Sequence, residues 1–85
     1  MAEFRIQRGE LRMIRLDDFD KVRRYVAKWA KEKDIEVAQV SIDDEELIFY
    51  GDTIGARTLI VGTYWIYDEE LELENGGKIV SLYDL

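Results

Sequence analysis

The side chains of this sequence that could do chemistry are mainly carboxylates, and they gather in two stretches. The first comprises Asp43, Asp44, Glu45 and Glu46, and the second comprises Asp68, Glu69, Glu70, Glu72 and Glu74. Paired carboxylates can perform acid–base chemistry when a cleft separates their pKa values, and carboxylate oxygens also bind calcium or magnesium. Here the acids occupy turn-like or alternating positions, and residues 43–46 lack the alternating ligands and central glycine of an EF-hand loop. We therefore expect no catalytic residues, no bound metal and no cofactor.

Other kinds of active site lack their usual residues. The sequence contains neither cysteine nor histidine, which excludes thiolate nucleophiles, zinc–thiolate sites and Ser-His-Asp arrangements. Residues 51–58 only superficially match a phosphate-binding loop, because Arg57 stands where the lysine would be and strand-like residues follow it. The sequence favours a protein that is not an enzyme.

One helix must help to position the acidic stretches. The chain has 85 residues, of which 47% are hydrophobic, so we expect a single folded domain spanning residues 1–85. Asp17 and Asp18 are candidate caps for the start of the helix, which is predicted to run to about Lys33. Its buried face is predicted from spacings of three and four between apolar residues, namely Phe19, Val22, Val26, Trp29 and Ala30.

Short strands account for most of the remaining sequence. The candidate strands are residues 4–8, with 12–16 continuing or pairing with them, then 35–42, 47–50, 58–61, 64–67, 70–74 and 78–83. Residues 51–55 read as a loop, Gly62 marks a bulge or bend, and Asn75-Gly76 is typical of a tight hairpin turn. The predicted fold is α+β, with one helix packed on a curved antiparallel sheet or small open barrel of five to seven short strands.

Charge is distributed unevenly along the chain. Residues 1–33 carry a net charge of +4 and residues 34–85 a net charge of −11, which gives −7 for the whole chain. Four cations form a stripe on the predicted helix, namely Lys21, Arg24, Lys28 and Lys31. Such a stripe is typical of a solvated helix face, although it could also follow phosphates. Because the protein as a whole is acidic, we do not expect nucleic acid to be its partner.

The acidic residues instead predict a protein partner with a basic surface. Alternation places Glu70, Glu72 and Glu74 on one exposed strand face at intervals of about 7 Å, close to the spacing of phosphates along a DNA strand. These carboxylates could shield an edge strand from aggregation, or they could mimic nucleic acid and dock in a basic groove. An exposed Tyr64 or Tyr67 would supply the buried anchor of such an interface. The candidate partner-binding residues are therefore the nine carboxylates of the two stretches together with Tyr64 and Tyr67.

Residues 61–65 resemble a strand motif of short tailed-phage and prophage proteins. In that group an early strand, often written around a lysine-proline and an isoleucine-x-alanine, precedes a helix. A Val-Gly-Asp-Tyr/Trp-Ile motif comes later, and a polar hairpin and a closing aromatic residue follow it. The same order is found here in Arg5, Ile14, Leu16, the helix, Val61-Gly62 with Tyr64, and residues 78–83. This sequence differs from the group in having Thr63 in place of the aspartate and in lacking the early proline. The resemblance implies a phage accessory protein that binds and blocks host or defence machinery, as an anti-CRISPR protein does. The combined lack of proline, histidine and cysteine is also compatible with a designed domain.

The predicted location and the alternative function follow from general features of the chain. Residues 1–5 lack the pattern of a secretory signal, and no apolar run reaches the roughly 18 residues of a membrane span. We expect a cytoplasmic protein, in the host cell if it is encoded by a phage, with no membrane association. Our leading hypothesis is a non-catalytic inhibitor that acts through an acidic surface. The alternative is a structural or assembly module that self-associates through strand edges, for instance as a homodimer.

Overall fold

The computed structural model describes residues 14–53, 57–74 and 77–85, which form one helix and a five-stranded sheet. In chain order the elements are α1 (Leu16–Lys31), β1 (Ile35–Ile42), β2 (Glu46–Thr53), β3 (Thr58–Trp65), β4 (Glu70–Leu73), β5 (Lys78–Ser81) and a closing 3-10 turn (Leu82–Asp84). Each strand pairs antiparallel with the next, so the sheet is open and ordered β1-β2-β3-β4-β5. The predicted α+β fold is confirmed. The candidate strand at residues 4–8 and the predicted turn at Asn75-Gly76 lie outside the described residues.

Helix α1 forms where apolar residues recur at helical spacing, but its ends differ from the prediction. Phe19, Val22, Val26 and Ala30 are buried, as their spacing indicates. The N-cap is Arg15, which makes no side-chain capping hydrogen bond, so the prediction that Asp17 or Asp18 caps the helix is wrong. Both aspartates lie in the first turn, where their charge favours the positive end of the helix dipole. Ile14 and Arg15 are not in a strand and Leu16 already belongs to α1, so the candidate strand over residues 12–16 is wrong at residues 14–16, and residues 12–13 lie outside the described residues. Among the described residues, no helix has the length and apolar character needed to cross a membrane.

The core lies between α1 and one face of the sheet. One residue from each strand contributes to a buried row in which neighbours pair in register, namely Ile42, Leu47, Tyr64, Leu71 and Val80. Helix α1 packs against β1 and β3, and the ring of Phe19 stacks on that of Phe49 with centroids 6.3 Å apart. Burial of this apolar surface is the main stabilising contribution to the fold.

Two strands are longer than the sequence pattern predicts. Strand β2 continues to Thr53, so the prediction of a loop from residue 51 is wrong. Gly51 lies within the sheet, where an added Cβ would come within 2.6 Å of Ile35 Cγ2, and this close contact explains the glycine. Strand β3 runs unbroken through Gly62, and a register shift opposite Phe49 and Tyr50 makes Val61 the extra residue of a bulge. The bulge predicted beside Gly62 is confirmed.

The last strand is shorter than predicted. Strand β5 ends at Ser81, whose side-chain oxygen accepts a hydrogen bond from the backbone nitrogen of Tyr83 at 3.3 Å. This local bond turns the chain into the 3-10 turn Leu82–Asp84, so Tyr83 is not part of a strand.

The connections place acidic residues from distant parts of the chain at one end of the sheet. Because β1 to β4 form a meander, the β1–β2 and β3–β4 turns lie at the same end. Only three residues separate α1 from β1, so the helix runs back along the sheet and its N-terminus returns to that end. The C-terminus of α1 lies at the opposite end, beside the start of β1.

Candidate functional site

The two acidic stretches meet through backbone hydrogen bonds. The nitrogen of Ile66, which follows β3, donates to the carbonyl oxygen of Glu45 at 3.0 Å. The nitrogen of Leu82 donates to the carbonyl oxygen of Glu69 at 2.8 Å, which attaches the 3-10 turn to the same region. We call this end of the molecule the acidic end; its carboxylates are Asp17, Asp18, Asp43, Asp44, Glu45, Glu46, Asp68, Glu69, Glu70 and Asp84.

The β1–β2 turn holds part of the acidic end in a defined shape. One carboxylate oxygen of Asp43 accepts a hydrogen bond from the backbone nitrogen of Glu45 at 3.0 Å, and the nitrogen of Asp43 donates to the Glu46 carbonyl at 3.0 Å. Aspartate commonly stabilises turns in this way. Asp44 lies at the tip of the turn and is exposed. Asp43 therefore has a structural role, while Asp44 is free to approach a partner.

The β3–β4 turn is fixed by an unusual backbone conformation and by a tyrosine. Glu69 has a φ of 53°, in the left-handed region, and its carboxylate accepts a hydrogen bond from the hydroxyl of Tyr83 at 2.8 Å. This hydrogen bond, followed by the negative charge of Glu69, raises the pKa of Tyr83 above its usual value. Asp68 and Glu70 flank Glu69 and are exposed. Glu69 therefore links the turn to the 3-10 segment, and its neighbours present free carboxylates.

The structure separates the two tyrosines that were predicted as anchors. Tyr67 is 65% exposed and lies in the β3–β4 turn, where a partner could bury it. Tyr64 is only 2% exposed and belongs to the core row, so the prediction that it supplies an exposed anchor is wrong. Burial, with a smaller contribution from the charges of Glu69 and Asp18, raises the pKa of Tyr64 to about 12. Tyr83, which the sequence analysis did not select, is 77% exposed and is the second surface tyrosine of the acidic end.

The three alternating glutamates of β4 do not form one uniform surface. Glu70 lies beside the β3–β4 turn, whereas Glu74 follows β4 at the opposite end of the strand, about 13 Å along the chain. Glu72 is half-buried and accepts a hydrogen bond from the indole nitrogen of Trp65 at 3.3 Å. Strand β4 lies between β3 and β5, so the interpretation that these acids shield an edge strand is wrong. The acidic end includes Glu70 but neither Glu72 nor Glu74.

Most basic residues of the described chain lie along α1, while Arg15 at its N-cap pairs with Asp17 at the acidic end, with Nη2 4.0 Å from Oδ2. Asp20 pairs with Arg23 and Arg24, and the hydrogen bond from Arg23, followed by the charge of Arg24, lowers the pKa of Asp20. The other cations of the predicted stripe, Lys21, Lys28 and Lys31, are exposed. Lys78, at the start of β5, lies close to this face of α1, near the ring of Tyr25. No local sequence pattern indicates this proximity. The surface is therefore divided into an acidic end and a basic flank.

The acidic end presents charge and two exposed aromatic rings. Within the described part of the chain, no group of three or more acidic residues is arranged to hold a metal ion. The hydrogen bonds at Asp43 and Glu69 support the two turns that carry or adjoin the free carboxylates of Asp44, Asp68 and Glu70. This arrangement suits electrostatic docking on a cationic surface. Comparison of the chain with protein-family models, curated proteins and solved structures found no match.

Proposed function

We propose that this protein is a non-catalytic binding protein whose acidic end docks on a basic surface of a protein partner and blocks it. The observation that supports this most directly is the hydrogen bond between Ile66 and Glu45, which joins two acidic turns into one surface. The proposed partner is a protein that handles nucleic acid, because its basic site would normally hold phosphates. The resemblance to phage proteins suggests a setting, in which a phage accessory protein inhibits host or defence machinery.

Electrostatics and aromatic burial would have different roles in this complex. Complementary charge raises the association rate and orients the partners, and its effect falls as salt increases. The longer residence of the complex would come from Tyr67 and Tyr83, since tyrosines are frequent among the residues that dominate interface energies. The free carboxylates would therefore act mainly on association, and the tyrosines mainly on dissociation.

A pair of charge-reversal variants tests this proposal. The first variant combines Asp44→Lys with Asp68→Lys at the acidic end; the matched control combines Glu36→Lys with Glu74→Lys at the far end of the sheet. All four residues are exposed, and both variants change the net charge by the same amount. Tagged proteins are used to capture partners from a bacterial lysate at low and high salt.

The expected result is one stoichiometric protein partner, retained by the wild type and by the far-end control but lost from the acidic-end variant. High salt should weaken its capture. Equal capture by both variants would contradict the proposal, and so would recovery of nucleic acid alone.

A second candidate function is self-association through a strand edge. Strand β5 ends the sheet in the described part of the chain, and it carries Ile79, which is 60% exposed. Exposed apolar residues on an unpaired edge favour pairing with another chain. Sedimentation over a concentration series separates the two candidates, because self-association raises the mass with concentration. Ile79→Lys should then restore a monomer, while a concentration-independent mass would reject this candidate.

A further inference from the structure

A groove with mainly aromatic and basic walls runs along one side of α1. We call it the basic groove; its aromatic and basic lining residues are Lys21, Arg24, Tyr25, Lys28, Trp29 and Lys78, and Glu32 and Leu85 complete the lining. It comprises a cavity of about 350 Å³ and a second of about 180 Å³. Tyr25 and Lys28 line both cavities, which makes them adjoining parts of one depression. The larger cavity is at the lower end of the size range of small-molecule sites, and the smaller cavity is below that range.

One cation of the groove, Lys78, lies over two of its aromatic rings, and Lys33 lies nearby over one of them. The Nζ atom of Lys78 lies 5.9 Å from the ring centroid of Tyr25 and 5.8 Å from that of Trp29. Lys33 lies 4.3 Å from the Trp29 centroid. Cation–π contacts of this kind hold an ammonium group in place without neutralising it. The positive charge is therefore positioned by the fold.

The lysines that line the groove have no carboxylate partner among the residues that the structure describes. The ion pairs there involve Arg15, Arg23 and Arg24, and none involves Lys21, Lys28 or Lys78. Glu32 lines the smaller cavity together with Lys28 and Lys78 but pairs with neither within 4.0 Å. Unpaired ammonium groups retain their hydrogen-bond donors for an added anion. Three unpaired lysines grouped on one surface are unexpected in a protein with a net charge of −7.

We propose that the basic groove binds a nucleoside phosphate as a free small molecule. The larger cavity would hold the base against Tyr25, and the smaller cavity would place the phosphates beside Lys28 and Lys78. Nucleoside phosphates combine a flat ring, which stacks on aromatic side chains, with a charged group that binds ammonium. One nucleoside phosphate would therefore occupy both cavities.

The charge distribution favours a small ligand over a nucleic-acid strand. Lys28, beside which the phosphates would bind, lies ten residues, or about 15 Å, along α1 from Asp18. The Debye length at physiological salt is about 8 Å, so the charges of Asp17 and Asp18 hardly affect phosphates bound beside Lys28. A long strand following the helix would instead reach those aspartates and be repelled.

Titration calorimetry with ADP tests this inference on the full chain. The variants are Lys28→Glu, Lys78→Glu and Tyr25→Leu, with Lys31→Glu as the matched control because Lys31 is exposed on the same helix and lines neither cavity. Thermal unfolding verifies that each variant remains folded, and Lys78→Gln provides a milder change. Adenosine and inorganic phosphate are titrated separately to divide the contributions of the ring and the phosphates.

We expect ADP to bind at a single site, with adenosine and phosphate each at least about tenfold weaker. Lys28→Glu and Lys78→Glu should each weaken ADP binding by about tenfold or more, while Lys31→Glu changes it less than about twofold. Lack of saturable binding at millimolar ADP would overturn the inference, as would an equal loss in Lys31→Glu. Tighter binding of a short single-stranded oligonucleotide, with a steep salt dependence, would show that the groove follows a polymer and would also overturn it.

Discussion

Replacing Tyr64 by phenylalanine tests whether this residue belongs to the core or to the binding interface. The side chain is 2% exposed and lies in the buried row between Leu47 and Leu71. Phenylalanine keeps the ring and removes only the hydroxyl. We expect Tyr64→Phe to fold and to retain partner binding, because the acidic end does not use this residue.

The magnitude follows from the pKa of Tyr64, which burial raises from 10.0 to about 12. The folded state holds the proton more tightly than the unfolded state, so stability is unaffected below pH 10 and decreases as the pH rises from 10 to 12. A shift of about two units corresponds to a loss of up to about 2.7 kcal/mol. At about pH 11.5 roughly 2 kcal/mol of this loss is already present. Tyr64→Phe has no hydroxyl at this position to titrate, so it should not show this loss of stability.

Urea unfolding followed by tryptophan fluorescence measures the effect. Wild type and Tyr64→Phe are compared at about pH 9 and about pH 11.5, and the difference between the two pH values should be about 2 kcal/mol larger for the wild type. The comparison cancels the titration of lysines and of the other tyrosines. Identical pH dependence in both proteins, or loss of partner binding in Tyr64→Phe, would refute the assignment of Tyr64 to the core.

Three further predictions concern the core and the acidic end. Leu71→Ala should reduce the free energy of unfolding by about 2–5 kcal/mol, because Leu71 is fully buried in the core row between Tyr64 and Val80; a loss below about 1 kcal/mol by urea unfolding would contradict this. Gly51→Ala should cost about 1–3 kcal/mol, since the new Cβ would approach Ile35 and Val61 within 2.6 and 2.9 Å; a raised midpoint of thermal unfolding would contradict it. Glu69→Gln should lower the pKa of Tyr83 towards its usual value, because it removes the charge beside the hydroxyl; an unchanged pKa by NMR titration would exclude this cause.

Local periodicity was sufficient to predict the helix face and most of the sheet. Phe19, Val22 and Val26 recur at helical spacing, and all three are buried against the sheet. Strand β1 has the predicted bounds, Ile35–Ile42, because it is rich in β-branched residues and its buried and exposed positions largely alternate. These features depend on neighbours along the chain, which is why the sequence alone indicates them.

The side of the sheet that faces the core could not be predicted in the same way. A period of two separates the faces of a strand but does not indicate which one is buried. Tyr64 and Tyr67 were therefore equivalent as candidate anchors, although only Tyr67 is exposed. Glu74 was grouped with Glu70 by alternation, whereas the turns place them at opposite ends of β4.

The full acidic end depends on contacts between residues far apart in sequence. Asp17 and Asp18 reach it because α1 runs back along the sheet, and Asp84 reaches it through the 3-10 turn. Tyr83 joins it through its hydrogen bond to Glu69. The sequence pattern indicates the two acidic turns but not these additions, since each requires the tertiary fold.

Association kinetics with the captured partner test whether binding occurs through the acidic end. The association rate is measured at low and at physiological salt for the wild type, for Asp44→Lys with Asp68→Lys, and for Glu36→Lys with Glu74→Lys. We expect the acidic-end variant to associate at least about tenfold more slowly at low salt and to lose most of its salt dependence, while the far-end control changes much less. If both variants slow association equally, or if neither does, binding does not occur through the acidic end.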